Sequence, residues 1–262
     1  MRLATFVPPK SNIPLAGEVR DGLVQSFART ELTVIDLLGD LSTQHERGPS
    51  WELAEVTLLA PVPKPRAIFG IGLNYADHVA ETGGQAPEQP LVFMKLPSSA
   101  APPNGPVRCP AVVKRLDYEG ELAVIIGPGG SVAGYAVADD VSARDLQRRE
   151  AQWTRAKGAD GFCPFGPWIT TADEVPGPHA LRLRTWVNGE LRQDSNTSNL
   201  VFGVQQLVDF ISETCTLETG DVILTGTPSG VGMGQDPPAF LASGDVVRIE
   251  IERLGWIEHA VA

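Results

Sequence analysis

Short apolar runs separated by glycine, proline and charged residues recur along the whole chain, and this pattern predicts many short β-strands with few helices. Apolar residues at helical spacing predict helices over residues 144–153 and 204–214. Asn188-Gly189, between two apolar runs, predicts a two-residue hairpin. The expected fold class is therefore β-dominated α+β, with folded-over sheets rather than a repeating βαβ pattern. The strand-like runs cover residues 67–72, 91–95, 116–126, 132–138, 181–187, 222–225 and 246–251.

A proline-rich stretch, Pro61-Val62-Pro63-Lys64-Pro65, interrupts the pattern early in the chain. Prolines stiffen a connection, so this stretch is expected to be a linker. It divides the chain into a small N-terminal domain over residues 1–62 and a larger β-rich domain over residues 63–262. The chain has 262 residues, of which 42% are hydrophobic, and this is enough for one full core with a small appendage.

The acidic net charge of the chain makes some classes of binding partner unfavourable. The formal net charge is −11 at pH 7, which argues against binding to nucleic acid or to anionic membrane surfaces. No apolar run approaches the roughly 20 residues of a membrane-spanning helix, and Pro8-Pro9 interrupts the first run where a signal peptide would continue. Cys109, Cys163 and Cys215 are scattered and predict neither a disulfide framework nor a zinc site. We therefore expect a cytoplasmic protein with reduced thiols.

Two glutamates stand near the charged end of the strand-like run over residues 116–126. Side chains two apart on a strand point to the same side, so Glu119 and Glu121 project together, with Cα atoms roughly 6–7 Å apart. Crowded carboxylates tolerate burial only with a shared proton or a cation, whereas a solvated strand end needs neither. Asp140, after the next strand, could complete a three-carboxylate site or serve as a helix N-cap. Such an all-oxygen set suits Mg²⁺, Mn²⁺ or Ca²⁺, and Asp117 is left out of it.

Three further residues could carry chemistry. His78 and Glu81 lie three residues apart in a run that predicts a helix over residues 75–82, so they face the same side. A carboxylate that holds one imidazole nitrogen leaves the other as a general base, although a surface pair on an exposed helix would have the same spacing. Gly83-Gly84 after this helix makes it a candidate mobile lid. Lys157 could meet an anionic substrate or an enolate, or it could be a solvated surface lysine.

Residues 226–234 form a glycine-rich stretch, with glycine at 226, 230, 232 and 234. The stretch lacks the Gly-Lys-Ser/Thr end of a phosphate-binding loop, so a nucleotide is not expected there. Its backbone N–H groups could instead meet a carboxylate.

Several of these motifs occur in an order that is typical of one protein family. From about residue 65 to the end, the chain resembles the fumarylacetoacetate hydrolase family, particularly its bacterial acylpyruvate hydrolases and 2-hydroxyhepta-2,4-diene-1,7-dioate isomerases. The resemblance implies a folded-over mixed β-roll that binds Mg²⁺ or Mn²⁺ and forms a homodimer. The blocks that carry it are residues 72–81, 118–122, 140–147, 156–157, 187–190 and 220–232, followed by Gly244-Asp245.

The resemblance also implies which residues form the metal site and the base. The positions that match the family's metal carboxylates are Glu119, Glu121 and Asp140. His78 and Glu81 match its base and the carboxylate that orients this base.

Further matches concern the substrate, which the resemblance implies is a small 2-oxo acid. Lys157 matches the family's catalytic lysine, and Lys95 matches a lysine found near the site. Gly158-Ala159 departs from the family's usual pair after the catalytic lysine, in a region that can touch substrate. The residues that match contacts to the 2-oxo acid end are Arg144, Gln147 and Thr227.

The activity that the resemblance implies is hydrolysis of the C–C bond of a 2,4-dioxo acid of the acylpyruvate or fumarylpyruvate type. His78, held by Glu81, would deprotonate the water, and the metal with Lys157 would stabilise the departing pyruvate-type enolate. Two alternatives keep the same site: decarboxylation of an oxaloacetate-like acid, and decarboxylation or isomerisation of unsaturated dioates from aromatic catabolism. A non-catalytic metal-binding module is a third hypothesis, from a different class of protein.

Overall fold

The computed structural model describes residues 1–81 and 85–262. Most of its regular structure is β-strand, and the helices are short. The helices are α1 (Val34–Gly39), α2 (Ala76–Glu81), α3 (Arg144–Arg149), α4 (Thr154–Lys157) and α5 (Val204–Ser212). The strands are β1 (Arg2–Val7), β2 (Leu15–Arg20), β3 (Leu23–Phe27), β4 (Arg47–Glu52), β5 (Thr57–Leu58), β6 (Ile68–Gly72), β7 (Leu91–Lys95), β8 (Ala100–Ala101), β9 (Leu116–Asp117), β10 (Gly120–Ile126), β11 (Val132–Asp139), β12 (Ser142–Ala143), β13 (Cys163–Thr171), β14 (Arg182–Val187), β15 (Glu190–Asn196), β16 (Val222–Leu224), β17 (Val246–Ile251) and β18 (Gly255–Ala260).

A large mixed sheet forms the centre of the molecule, with the strand order β4-β3-β2-β1-β13-β11-β10-β16-β6-β7. Most neighbours in it are antiparallel, but β16 and β6 pair in parallel. A separate four-stranded antiparallel sheet has the order β15-β14-β17-β18. The predicted β-dominated fold class, with folded-over mixed sheets and few helices, is therefore confirmed.

Strand β10 lies between two hydrophobic cores, and all seven of its residues are buried. Leu122, Val124 and Ile126 pack into one core, while Ala123 and Ile125 pack into the other. This alternation follows from the two-residue period of a strand, and burial on both faces explains the continuous apolar run. Replacing Leu122 by alanine would cost about 2–5 kcal/mol of stability, because a cavity would open in a dense core.

The N-terminal strands belong to the same large sheet as the rest of the chain. Strand β1 pairs with β13, with Leu3 opposite Ile169. Leu3 and Val34 also share a hydrophobic core with Val222. Hydrogen bonds and apolar contacts therefore connect the segments on either side of the predicted boundary. The division into domains over residues 1–62 and 63–262 stays a prediction.

The hairpin between β14 and β15 is confirmed: Asn188 and Gly189 both have positive φ, 52° and 80°, as a type I′ turn requires. The helix predicted over residues 144–153 is wrong in its second half, since α3 ends at Arg149 and α4 follows after a break. The residue at the N-cap of α3 is Ala143, without a side-chain cap, so the alternative of Asp140 as an N-cap is also wrong. Gly83-Gly84, on which the prediction of a mobile lid rests, lie outside the described residues. Among the described helices, none is both long and apolar enough to cross a membrane.

Candidate active site

The predicted strand over residues 116–126 is interrupted at Tyr118 and Glu119, and this break forms the floor of a cavity. The segment before it, β9, leaves the large sheet and pairs with β12. The backbone N–H of Glu119 donates to Asp139 Oδ1 at 2.8 Å, and that of Gly120 donates to Gln193 Oε1 at 3.0 Å. Buried N–H groups need partners, so these two side chains make the irregular backbone stable. The carboxylates of Glu119 and Glu121 therefore lie close together although the strand is irregular here.

Three buried carboxylates meet on this floor. Glu119, Glu121 and Asp140 each have an oxygen within 4.8 Å of the others. Burial raises the pKa of Glu121 well above its usual range, and the charges of Asp140 and Glu119 raise it further. Burial also acts to raise the pKa of Glu119, but Arg144 and Lys157 outweigh it and hold this pKa at about 2. The predicted proximity of the three carboxylates is confirmed.

Three buried cations surround the carboxylates. Lys95 Nζ lies 2.5 Å from Asp140 Oδ1, while Lys157 Nζ lies 2.8 Å from Asp140 Oδ2 and also bonds Glu119. Arg144 Nη2 lies 2.5 Å from Glu119 Oε1. Burial acts to lower the pKa of Lys157, but the charges of Asp140 and Glu119 raise it above the usual range. Lys157 is therefore an ammonium ion and not a base, and the alternative of a solvated surface lysine is wrong.

The donor set fits a divalent cation. Glu121 accepts a hydrogen bond from the Gly226 N–H at 2.6 Å, but no described lysine or arginine forms an ion pair with it. Crowded, buried carboxylates are stable only when a proton or a cation balances them. Carboxylate oxygens are the ligands that Mg²⁺, Mn²⁺ and Ca²⁺ prefer. Glu119, Glu121 and Asp140 are the residues that would hold such an ion.

The cavity above the floor has a volume of about 350 Å³, near the lower end of the ~300–1,000 Å³ range of small-molecule sites. Seven of the ten predicted site residues line it, and Glu81, Lys95 and Asp140 lie behind them. One wall is apolar and includes Phe93 and Trp153, whose ring centroids are 5.4 Å apart. The seven lining residues are His78, Glu119, Glu121, Arg144, Gln147, Lys157 and Thr227.

Helix α2 carries the predicted base, and its His78 lines the cavity. His78 is buried, and its Nδ1 lies 2.9 Å from Glu81 Oε2. The other oxygen of Glu81 accepts a hydrogen bond from the Gly230 N–H at 2.9 Å. Gly234 allows this approach, because a Cβ atom there would lie 2.4 Å from the Glu81 carboxylate. His78 thus lines the cavity with Glu81 behind it, and the alternative of an exposed surface pair is wrong.

The residues predicted to contact substrate already have partners within the protein. Arg144 Nη1 donates to Gln147 Oε1 at 3.0 Å. The Thr227 hydroxyl donates to the Gly120 carbonyl oxygen at 3.1 Å and accepts from Gln193 Nε2 at 2.8 Å. Their position around one cavity is observed, whereas their role in binding substrate stays a prediction.

The glycine-rich stretch over residues 226–234 does meet carboxylates, as predicted, and these carboxylates belong to the protein itself. The Gly226 N–H reaches Glu121, the Gly230 N–H reaches Glu81 and the Gly232 N–H reaches Asp117 at 2.7 Å. Asp117 also accepts from Arg144 Nε at 2.8 Å. Its exclusion from the predicted metal set agrees with the structure, where it binds an arginine and backbone N–H groups.

Sequence reasoning missed three residues that support the floor: Gln193, Asp139 and His259. His259 Nε2 lies 2.8 Å from Asp139 Oδ2, and both side chains are completely buried. His259 alternates with the buried Ile257 and Val261. A polar residue at an inward position of an apolar strand face was the signal that could have revealed it.

The cavity thus has a floor of buried carboxylates that could hold a divalent cation. Residues 67–262 match the family model of the fumarylacetoacetate hydrolase C-terminal domain. The chain belongs to the fumarylacetoacetate hydrolase family, as the resemblance implied, and it is an enzyme of this family.

Relatives and solved structures cover several reactions. The chain is 44% identical to the mitochondrial oxaloacetate tautomerase of Xenopus laevis, over 79% of this chain and 69% of the relative. It is 43% identical to an oxaloacetate tautomerase of Bacillus subtilis, over 80% of this chain and 75% of the relative. Among solved structures, it is similar to a 2-hydroxyhepta-2,4-diene-1,7-dioate isomerase from Mycobacterium marinum, with a TM-score of 0.82, 35% identity and coverage of 100% and 98%. A maleylpyruvate hydrolase from Sphingobium sp. SYK-6, in complex with manganese(II) and pyruvate, gives a TM-score of 0.81, 32% identity and coverage of 100% and 99%.

Proposed function

We propose that this protein interconverts the keto and enol forms of oxaloacetate, or of a closely similar 2-oxo dicarboxylate, with the help of a divalent cation. The observation that carries the proposal is the meeting of three elements at one cavity: the carboxylate cluster, the buried Lys157 ammonium and the His78–Glu81 pair. These are the groups that proton transfer next to a carbonyl requires. The oxaloacetate tautomerases among the relatives support the choice of substrate.

The bound acid would lie with its carboxylate and 2-oxo group towards the floor. Gln147 and Thr227 line this part of the cavity, and Lys157 presents a positive charge there. A divalent ion held by Glu119, Glu121 and Asp140 would act as a Lewis acid that stabilises negative charge on the 2-oxo oxygen. Fixing the acid end in this way presents the C3 methylene to the base.

His78 is the proposed base. When Nδ1–H donates to Glu81, the neutral imidazole has a basic Nε2 atom. This nitrogen removes one proton from C3, and the electron pair of the C–H bond forms the C2–C3 double bond while charge moves to the 2-oxo oxygen. Lys157, an ammonium ion, stabilises that charge. The imidazolium then returns the proton to the oxygen to give the enol, so the reaction consumes no other reactant.

The test follows the absorbance of enol oxaloacetate as it converts to the keto form, with Mg²⁺, Mn²⁺ or Ca²⁺ and with a chelator. We expect the protein with a divalent ion to accelerate this conversion over the spontaneous rate. His78→Asn should lower the rate by about 10²–10⁴-fold, because a general base is lost. A rate equal to that of buffer with the same metal would overturn the proposal.

C–C bond hydrolysis is a second candidate, favoured by the same His78–Glu81 pair, since a base of this kind can also activate water. The maleylpyruvate hydrolase among the structural neighbours supports it. Incubation with acetylpyruvate would then give pyruvate and acetate. Release of pyruvate and CO₂ from oxaloacetate would instead indicate decarboxylation, the alternative that the family resemblance also leaves open.

The partners and the location belong to this proposal as well. We propose a homodimer, which the family resemblance implies and which the exposed Leu91 and Met94 on the edge strand β7 support. The cytoplasmic location, the absence of nucleic-acid and membrane partners, and the choice among Mg²⁺, Mn²⁺ and Ca²⁺ stay predictions.

A further inference from the structure

One cation in the cavity wall takes no part in the network on the floor. Arg148 lines the cavity and is exposed. Within residues 1–81 and 85–262, no hydrogen bond or ion pair involves its guanidinium. We infer that Arg148 binds the second carboxylate of a dicarboxylate substrate, and that it makes the enzyme prefer 2-oxo diacids to 2-oxo monoacids. This inference rests on the proposed function, because it concerns the far end of the same substrate.

The other arginine of the cavity has little capacity left for a substrate. Arg144 donates through Nε to Asp117 at 2.8 Å and through Nη1 to Gln147 at 3.0 Å. Its Nη2 lies 2.5 Å from Glu119. All three nitrogens of the guanidinium are therefore engaged, and its charge is balanced by two buried carboxylates.

The position of Arg148 suits a distal group. It follows Arg144 by four residues in α3, so the two side chains lie on the same helix face, with Cα atoms about 6 Å apart along the axis. The carboxylate nearest in sequence, Glu150, pairs with Arg149 at 3.5 Å and with Arg155 at 2.6 Å. Arg148 thus keeps its charge available about one helical turn away from the floor.

Among the residues that the structure describes, the remaining wall offers a distal carboxylate no comparable partner. Phe93, Trp153 and Met233 line it with apolar surface. A carboxylate that lost water against this surface would be unfavourable without a hydrogen bond. The planar guanidinium of Arg148 can form two parallel hydrogen bonds to a carboxylate, and these provide geometric selectivity as well as charge.

The experiment compares two ligands that differ only at the distal group. Oxaloacetate and 2-oxobutyrate have the same chain length, but a methyl group replaces the second carboxylate in 2-oxobutyrate. Calorimetry in the presence of Mg²⁺ would give both dissociation constants for the wild type, Arg148→Gln, Arg148→Lys and Arg149→Gln. Arg149→Gln is the matched control, because it removes the same charge from the same helix outside the cavity.

We expect the wild type and Arg149→Gln to bind oxaloacetate about tenfold more tightly than 2-oxobutyrate. The free energy that corresponds to this ratio lies between the contribution of an exposed ion pair and that of a charge-assisted hydrogen bond. Arg148→Gln should lose this preference and keep its affinity for 2-oxobutyrate. Arg148→Lys, which keeps the charge without the planar fork, should recover part of it.

The inference about Arg148 is tested by the preference of Arg148→Gln for oxaloacetate over 2-oxobutyrate. The proposed function is tested separately, by the tautomerase activity of the wild type. If Arg148→Gln kept the preference for oxaloacetate over 2-oxobutyrate, the role of Arg148 would be overturned. Equal affinities of the wild type for both ligands would also overturn it, even if the wild type were an active tautomerase. A preference that depends on Arg148 in a protein without tautomerase activity would support the inference and reject the proposed reaction. If neither compound bound, both would be rejected.

Discussion

The floor of the cavity and helix α2, the candidate lid, are held in different ways, although strand β15 reaches both. On the floor, Gln193 accepts from the Gly120 N–H and donates to Thr227 and to the Pro228 carbonyl oxygen, and all these atoms are buried. At the lid, the Ser195 hydroxyl donates to Asp77 at 2.7 Å in a partly exposed position. Because side chains two apart in a strand point the same way, Gln193 and Ser195 reach floor and lid from one face of β15.

This difference sets what each region can do. A buried group that loses its partner costs about 1–3 kcal/mol, because water cannot replace the bond. At the lid, water can replace the partners of Asp77 and Glu81 once α2 moves away. We therefore expect the floor to be pre-organised for an ion and a substrate, and α2 to be the part that opens to admit them.

The largest expected effect comes from breaking the floor itself with Glu121→Gln. This change removes the carboxylate that has no cation partner among the described residues. With Mg²⁺ at about 100 times its dissociation constant, binding stabilises the folded protein by about 2.7 kcal/mol. Thermal unfolding with and without Mg²⁺ should show this gain in the wild type and in the exposed control Glu190→Gln. A gain retained in Glu121→Gln would remove Glu121 from the metal site.

The same variant tests the titration of the floor. The folded state raises the pKa of Glu121, so it binds this proton more tightly than the unfolded state does. The resulting contribution to the stability of the metal-free protein is complete below about pH 4.5 and is lost as the pH rises through the folded pKa. A cation must displace the proton, so the affinity for Mg²⁺ should rise with pH over the same interval. Glu121→Gln should lack the stability change.

A smaller effect on Mg²⁺ binding is expected from Gln193→Leu, which removes the hydrogen-bond support beneath the floor. The Gly120 N–H would stay buried without an acceptor, so the free energy of unfolding should fall by about 2–3 kcal/mol. The segment that carries Glu119 and Glu121 would lose its anchor, and the affinity for Mg²⁺ should fall by about 10–100-fold. Urea unfolding of the metal-free protein and calorimetric titration with Mg²⁺ measure the two effects separately.

The matched control for this prediction is Asp194→Asn, on the opposite, exposed face of β15. It should change stability by less than about 1 kcal/mol, as expected for an exposed ion pair, and leave Mg²⁺ binding unchanged. If Gln193→Leu lowered stability but kept the affinity for Mg²⁺, Gln193 would support the fold without positioning the metal ligands.

Local sequence patterns were sufficient to predict part of the fold and part of the site. Strands β7 and β17 have the bounds that their local patterns predicted, because alternation along a few residues determines which face is buried. The meeting of Glu119, Glu121 and Asp140 was predictable as well, since the two strands that end there pair as neighbours. Spacing and pairing are local properties, and the sequence records them directly.

The supports of the floor were not predictable in the same way. The break at Tyr118 and Glu119 is stable only because Asp139 and Gln193 supply hydrogen-bond partners, and Gln193 lies 73 residues further along the chain. The burial of Lys157 likewise depends on Asp140 and Glu119, which a local pattern cannot show. Long-range polar contacts of this kind leave little trace in local spacing, so this part of the site required the structure.

The smallest effect is expected at the lid, from Ser195→Ala. The change removes one partly exposed hydrogen bond to Asp77, which stabilises the closed position of α2 by about 1 kcal/mol. Tautomerisation of oxaloacetate should therefore slow by about three- to fivefold in kcat/KM, while the affinity for Mg²⁺ and the free energy of unfolding change little. Thr197→Ser is a control in the turn that follows β15, because it keeps the hydroxyl that accepts from the Leu181 N–H. A loss of Mg²⁺ affinity in Ser195→Ala would show that floor and lid are coupled through β15, and the distinction between a fixed floor and a separately held lid would then fail.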